Sequence, residues 1–117
     1  MAEPTPLNEL HCAVEYTFDI IGGKWKVLLL SNLFDGGTMR FAELKRANEG
    51  ITQKVLTQQL RELEADGLIA RKVYAQVPPK VEYALTPIGK TIEPILHALC
   101  KWGTHYYELQ RNAKAAS

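Results

Sequence analysis

The stretch Gly50–Gly89, GITQKVLTQQLRELEADGLIARKVYAQVPPKVEYALTPIG, decides the fold. Thr52 stands where a helix N-cap belongs, because its hydroxyl can accept from an orphan backbone N–H of the next turn. Ile51 and Leu56 then take the N′ and N4 positions, the spacing of a hydrophobic staple. The predicted helix runs from Thr52 to about Asp66. Gly67 is placed to adopt the left-handed conformation that stops it, with Leu68 folding back on Leu63. Leu68–Tyr74 and Val81–Leu85 read as strands from their valine and aromatic content and the alternation of Val81, Tyr83 and Leu85. Gln76–Lys80, with Pro78-Pro79, forms a stiff hairpin tip.

The helix has two unlike sides. Leu56, Leu60 and Leu63 lie along one and anchor it to a core. Gln53, Lys54, Thr57, Gln58 and Arg61 lie along the other, with no acid before Glu62. Such a face suits a DNA duplex. Gln pairs bidentately with adenine, Arg or Lys with guanine, and Thr can meet a phosphate or a thymine methyl. The same residue types also occur on ordinary solvated helices. The hairpin adds Arg71, Lys72 and Lys80, cations placed to reach backbone or minor groove beside a helix in the major groove. Arg71 and Lys72 are adjacent, so they point to opposite sides of the strand. Lys80 and one of that pair are the expected contacts. A helix sized for the major groove followed by a cationic β-ribbon predicts a winged helix-turn-helix.

Upstream, Ala13–Ile21 reads as a first helix stopped by Gly22-Gly23. Lys24–Phe34 reads as a second helix, with Val27–Leu30 buried and Asp35-Gly36-Gly37 as its stop. Thr38–Arg40 suits a short strand, and Phe41–Ala47 a short helix with Phe41, Leu44 and Ala47 turned inward. The fold class is therefore mainly α with a small antiparallel β-hairpin. The chain is long enough for one domain, expected over residues 11–111. A flexible arm (1–10) and tail (112–117) flank it.

Net charge is only +1, but from Arg40 to Lys80 eight basic residues face five acids. The basic excess is local, as expected of one face meeting phosphate. No apolar run follows a basic start, and no stretch approaches the ~20 apolar residues of a membrane span. A cytoplasmic protein without membrane contact is expected.

Thr86-Pro87 opens a last helix, with Thr as N-cap and Pro at N1. Ile88, Ile92, Ile95, Leu99, Trp102, Tyr106 and Leu109 step by four and three along it, a heptad-like seam. Pro94 is expected to bend it. So long an apolar stripe exceeds what one hairpin can cover. It either packs on the first two helices or forms a shared dimer core through Ile92, Ile95, Leu99, Trp102 and Tyr106, and the second is favoured.

Three runs now carry a resemblance: GGKWK at Gly22–Lys26, ITQKVLTQQLRELEADGLI from Ile51, and VPPKVEYALTPIG at Val77–Gly89. Together they make the chain resemble the HxlR-type bacterial transcription regulators over roughly Cys12–Gly103. The resemblance implies a homodimer built from the first and last helices. It further implies a pseudo-palindromic operator, with the recognition helix at 52–66 and the wing at 68–85. Some members of that family sense oxidants through a cysteine just before the first helix, where this chain has Cys12. A thiol near a helix N-terminus has a lowered pKa and more thiolate. The family often shows Cys-Pro at this point, whereas this chain has Cys12-Ala13, and an inert packed thiol is the other reading. His11, Cys12, His97 and Cys100 have no diagnostic metal spacing, so neither metal nor other cofactor is expected.

The expected partners are double-stranded DNA and a second copy of the chain, with a small-molecule or oxidant effector left open. A winged helix that docks proteins without specific DNA readout is the alternative. No nucleophile, base and orienting group can be assembled from the motifs, so no enzyme is expected.

Overall fold

The computed structural model describes the backbone of residues 11–116 and the side chains of 13–116. The elements run α1 (His11–Ile21), α2 (Lys24–Gly36), β1 (Met39–Arg40), α3 (Phe41–Ala47), α4 (Gln53–Ala65), β2 (Ile69–Tyr74), β3 (Lys80–Leu85), α5 (Pro87–Lys90) and α6 (Glu93–Ala116). The hairpin gains a third strand: the antiparallel sheet has the order β1-β3-β2. Met39 pairs with Tyr83 and Arg40 with Glu82. In the hairpin, Ile69 pairs with Leu85, Lys72 with Glu82 and Tyr74 with Lys80.

The core gathers around α4. Leu56, Leu60 and Leu63 are buried against Leu29, Leu30 and Leu33 of α2 and Leu44 of α3, with Ile69 from β2. Each fully buried leucine contributes about 1.5–3 kcal/mol. Two polar links fix α2 against its neighbours. The Asn48 amide donates to Asn32 Oδ1 at 2.7 Å and to the Leu44 carbonyl at 2.8 Å. Buried Lys26 meets Glu62 of α4 at 3.4 Å.

The terminators of α4 are as expected. The Thr52 hydroxyl accepts from Val55 N–H at 3.1 Å. Gly67 has φ 78°, a conformation costly for any residue with a Cβ. Gly67 N–H bonds the Glu64 carbonyl and Leu68 N–H the Leu63 carbonyl, both at 3.0 Å, which together form a Schellman stop.

Several expectations fail. Leu28 is exposed rather than buried with its neighbours, and Ala47 faces solvent. The last helix is two helices, because the chain breaks at Thr91–Ile92. Pro94 falls in the first turn of α6, where a missing N–H costs nothing, so it helps start that helix instead of bending it. Ile92 is 9% exposed and packs with the core of the single subunit, unlike the rest of the stripe. Residues 112–116 are helical, the end of α6, and exposed. The expected arm at 1–10 lies outside the described residues.

Thr86 caps α5 by accepting from Gly89 N–H at 3.0 Å. Its hydroxyl donates to the Gly67 and Leu68 carbonyls. Gly89 is buried so close that a Cβ there would stand 2.0 Å from the Leu68 carbonyl oxygen. The end of α4, the end of β3 and the start of the C-terminal helices therefore meet in one tight joint.

Beyond that joint α6 is bare. None of its residues is buried, and Leu96 alone among them packs against the core as a partly buried side chain. Ile95, Leu99, Trp102, Tyr106 and Leu109 are 44–67% exposed. Trp102 and Tyr106 stack on each other, with ring centroids 5.2 Å apart. Ile95 and Leu99 line an apolar groove with Val14, Phe18 and Ile21 of α1. The radius of gyration is 17.4 Å, against the ~13 Å typical of a compact chain of this length.

Candidate nucleic-acid interface

α3, the turn at 48–52 and α4 form the helix-turn-helix, and the hairpin β2–β3 stands beside α4 as the wing. With its leucines facing inward, α4 has to present the opposite side to solvent. Gln53, Lys54, Gln58 and Arg61 are exposed, and Thr57 is half-buried. They form one continuous outward surface. Glu62, the first acid on the helix, is drawn toward buried Lys26 and also accepts from Gln59 at 3.2 Å. The first two turns of α4 carry no acid, and Gln53, Lys54 and Gln58 are exposed there.

One side chain is partly committed. The Thr57 hydroxyl donates to the Gln53 carbonyl at 2.8 Å. A phosphate oxygen needs a donor, and this proton is in use.

The wing cations divide between two faces. Arg71 lies on the side that faces α4, where its Nε stands 3.7 Å from Glu64. Arg71, Glu64, Arg61 and Gln53 line the cleft between helix and wing, together with Tyr83. The Tyr83 phenol is pushed above its usual pKa by burial, opposed by Arg71, so it remains a neutral donor. Lys72 and Lys80 share the outer face. The ammonium of Lys72 lies 4.9 Å from the Tyr74 ring centroid and that of Lys80 4.7 Å. Lys80 also meets Glu82 at 3.4 Å. The Tyr74 phenol is the main cause that holds the Glu82 carboxyl below its ordinary pKa, opposed by burial and assisted by Lys80 and Arg40.

Arg71 and Lys72 therefore stand on opposite faces of the wing. Lys72 accompanies Lys80, and Arg71 ties the wing to α4. Sequence reasoning missed Glu64, Tyr74 and Glu82. The signal for the last two was available, because strand alternation puts Tyr74 beside Lys72 and hairpin pairing puts it opposite Lys80.

The remaining candidates do not converge on this surface. Cys12 sits in the first turn of α1, and its side chain lies outside the described residues. His97 is exposed on α6, 3.4 Å from Glu93, and Cys100 is exposed one turn further on. Among the described residues no three potential ligands come together to hold a metal ion. No helix among them is long and apolar enough to cross a membrane.

A three-stranded sheet, a capped helix with an open polar side and a cationic hairpin beside it define a winged-helix protein of the kind that binds DNA. Residues 20–111 match the family described as HxlR-like helix-turn-helix, and the chain belongs to that family of transcriptional regulators. It is 55% identical over 96 residues to the uncharacterized HTH-type transcriptional regulator YybR of Bacillus subtilis, covering 82% of this chain and 76% of that one. It is also similar to the redox regulator HypR in two solved forms. The reduced form is 51% identical with a TM-score of 0.80, covering 86% of this chain and 98% of that one. The oxidized form is 55% identical with a TM-score of 0.76, covering 80% and 96%.

Proposed function

We propose that the chain acts as a homodimeric, sequence-specific transcription regulator. α4 reads the major groove through Gln53, Lys54, Gln58, Arg61 and the Thr57 methyl. The wing steadies the complex on the phosphates. The observation that carries this is the uncovered polar side of α4 beside a hairpin that bears Arg71, Lys72 and Lys80. The dimer is supported by the bare apolar face of α6 and its groove with α1, which a second copy can cover without opening the core. Two α4 helices about one DNA turn apart, ~34 Å, then meet an inverted repeat. The protein-docking alternative is not favoured by the likeness to known regulators.

Thiol control through Cys12 is part of the proposal. Its support is the likeness to a redox regulator and the position of Cys12 in α1, the helix that flanks the groove. Oxidation at the dimer seam would shift the two reading heads against each other. Genome-wide mapping of bound DNA, repeated after a mild thiol oxidant and with Cys12→Ser, tests both parts. Discrete inverted repeats whose occupancy responds to oxidant only when Cys12 is present are expected. Equal affinity for every duplex in gel-shift competition would refute specific readout, and an unchanged oxidant response in Cys12→Ser would refute the thiol role.

A further inference from the structure

We propose that Tyr74 is a positioning residue of the wing, whose ring gathers Lys72 and Lys80 into a two-ammonium clamp for a DNA backbone phosphate. The proposal rests on the hairpin being a DNA-contacting wing, as argued above.

The register builds the cluster. Tyr74 is the direct cross-strand partner of Lys80, and Lys72 pairs with Glu82. Lys72 and Tyr74 are two residues apart on one strand, and Lys80 and Glu82 on the other, so all four share a face. Lysine is long and flexible, and two ammonium groups on neighbouring strands repel each other. An aromatic ring attracts both through its quadrupole. Both lie within 5 Å of the Tyr74 centroid, so one ring tethers both ammonium groups beside it.

One carboxylate belongs to the cluster. Glu82 meets Lys80 at 3.4 Å and is the cross-strand partner of Arg40 on its other side. One acid among three cations leaves the spot positive. Each ammonium carries three N–H donors. Lys80 uses one on Glu82 and keeps others for a phosphate oxygen. Arg71, on the opposite face and paired with Glu64, takes no part.

Phosphate contacts are independent of sequence, so the test needs no operator. The probe is a fluorescein-labelled duplex of arbitrary sequence, about 30 base pairs long, titrated with full-length protein across a range of salt concentrations. Each phosphate neutralised contributes about 0.9 to the slope of log affinity against log salt. Tyr74→Val, a residue suited to a strand, is expected to weaken binding about 3- to 10-fold and to flatten the slope by roughly 1 per wing. Tyr74→Phe keeps the ring and is expected to retain the wild-type slope, which a merely structural role for the phenol would not explain.

A measurement on the unaltered protein guards against a variant that fails to fold. The ε-methylene protons of Lys72 and Lys80 should be shifted upfield by the Tyr74 ring current, and random-coil positions would overturn the proposal. So would Tyr74→Val with the wild-type slope while Lys72→Ala and Lys80→Ala each flatten it. If neither lysine variant alters the slope of a protein that still binds DNA, the wing itself is misassigned and the clamp falls with it.

Discussion

α4 and α6 are both amphipathic, yet the structure treats them oppositely. On α4 every leucine of the seam is covered, and the exposed side chains are polar except for Ala65 at its end. On α6 no residue is buried, and a stripe of isoleucine, leucine, tryptophan and tyrosine stays in solvent. The difference separates two kinds of unfinished surface. A bare polar face costs the free protein little, because water satisfies it until a polar ligand arrives. A bare apolar stripe of this length is an exposed patch that marks association. In the function we propose, one helix supplies the ligand surface and the other the assembly surface, and the two are connected through the joint at Gly67, Thr86 and Gly89.

The largest expected effect breaks the assembly side. Leu99→Asp puts a charge in the bare stripe, far from α4. Sedimentation should show monomers, and operator affinity should fall by about 10²–10⁴-fold as two linked reading heads become one. A dimer that survives this change would place the partner surface elsewhere.

Next comes the contrast between two leucines. Leu60→Ala cuts into the sealed core and should cost about 2–5 kcal/mol in unfolding free energy at any protein concentration. Leu99→Ala removes the same atoms from the open stripe. It should lower the melting temperature only through weaker association, so its loss should depend on protein concentration. Equal, concentration-independent losses would erase the distinction between the helices.

A smaller effect sharpens the polar side. Arg61→Ala should cost about 1–3 kcal/mol on the best site and relax preference at one base position. Lys54→Ala should weaken all duplexes more evenly if its partner is a phosphate. Competition against singly altered sites separates the two.

The smallest effect concerns pH. The depressed Glu82 pKa means that its contribution is present above the ordinary value of 4.5 and is lost as pH falls through the lower folded value. Tyr83 is displaced the other way, so its contribution is complete below 10.0 and is lost as pH rises through the higher folded value. Neither window reaches neutrality. Non-specific DNA affinity, corrected for histidine by His11, His97 and His105 variants, should stay flat from about pH 6 to 8. A titration of affinity in that range would point to a group outside the wing.

The helix-turn-helix was legible because its signals are local. Thr52 and Gly67 each act within a few residues, and one covalent neighbourhood contains both donor and acceptor. The C-terminal region was less so. Proline at a helix start and proline within a helix look alike in one dimension, so Pro94 was placed in the wrong role. The heptad steps run unbroken through Ile92, although the backbone breaks there and that side chain turns inward. The wing was half legible. Its cations were evident, but which of Arg71 and Lys72 faced α4 depended on a strand twist that only packing against Glu64 fixes.

The joint where Gly89 leaves no room for a methyl beneath the Leu68 carbonyl has a consequence for measurement. Wing and reading helix are packed there against the start of the C-terminal helices, and in the dimer we propose the stride between the two heads is set through that contact. In a pair, the gap between half-sites is then dictated by which rungs of α6 meet their twins. A slip of one helical turn, ~5.4 Å, would throw the second head out of step with the ~34 Å repeat of the duplex. In the proposed dimer the longest helix thus acts as the ruler that sets the distance between the two reading heads.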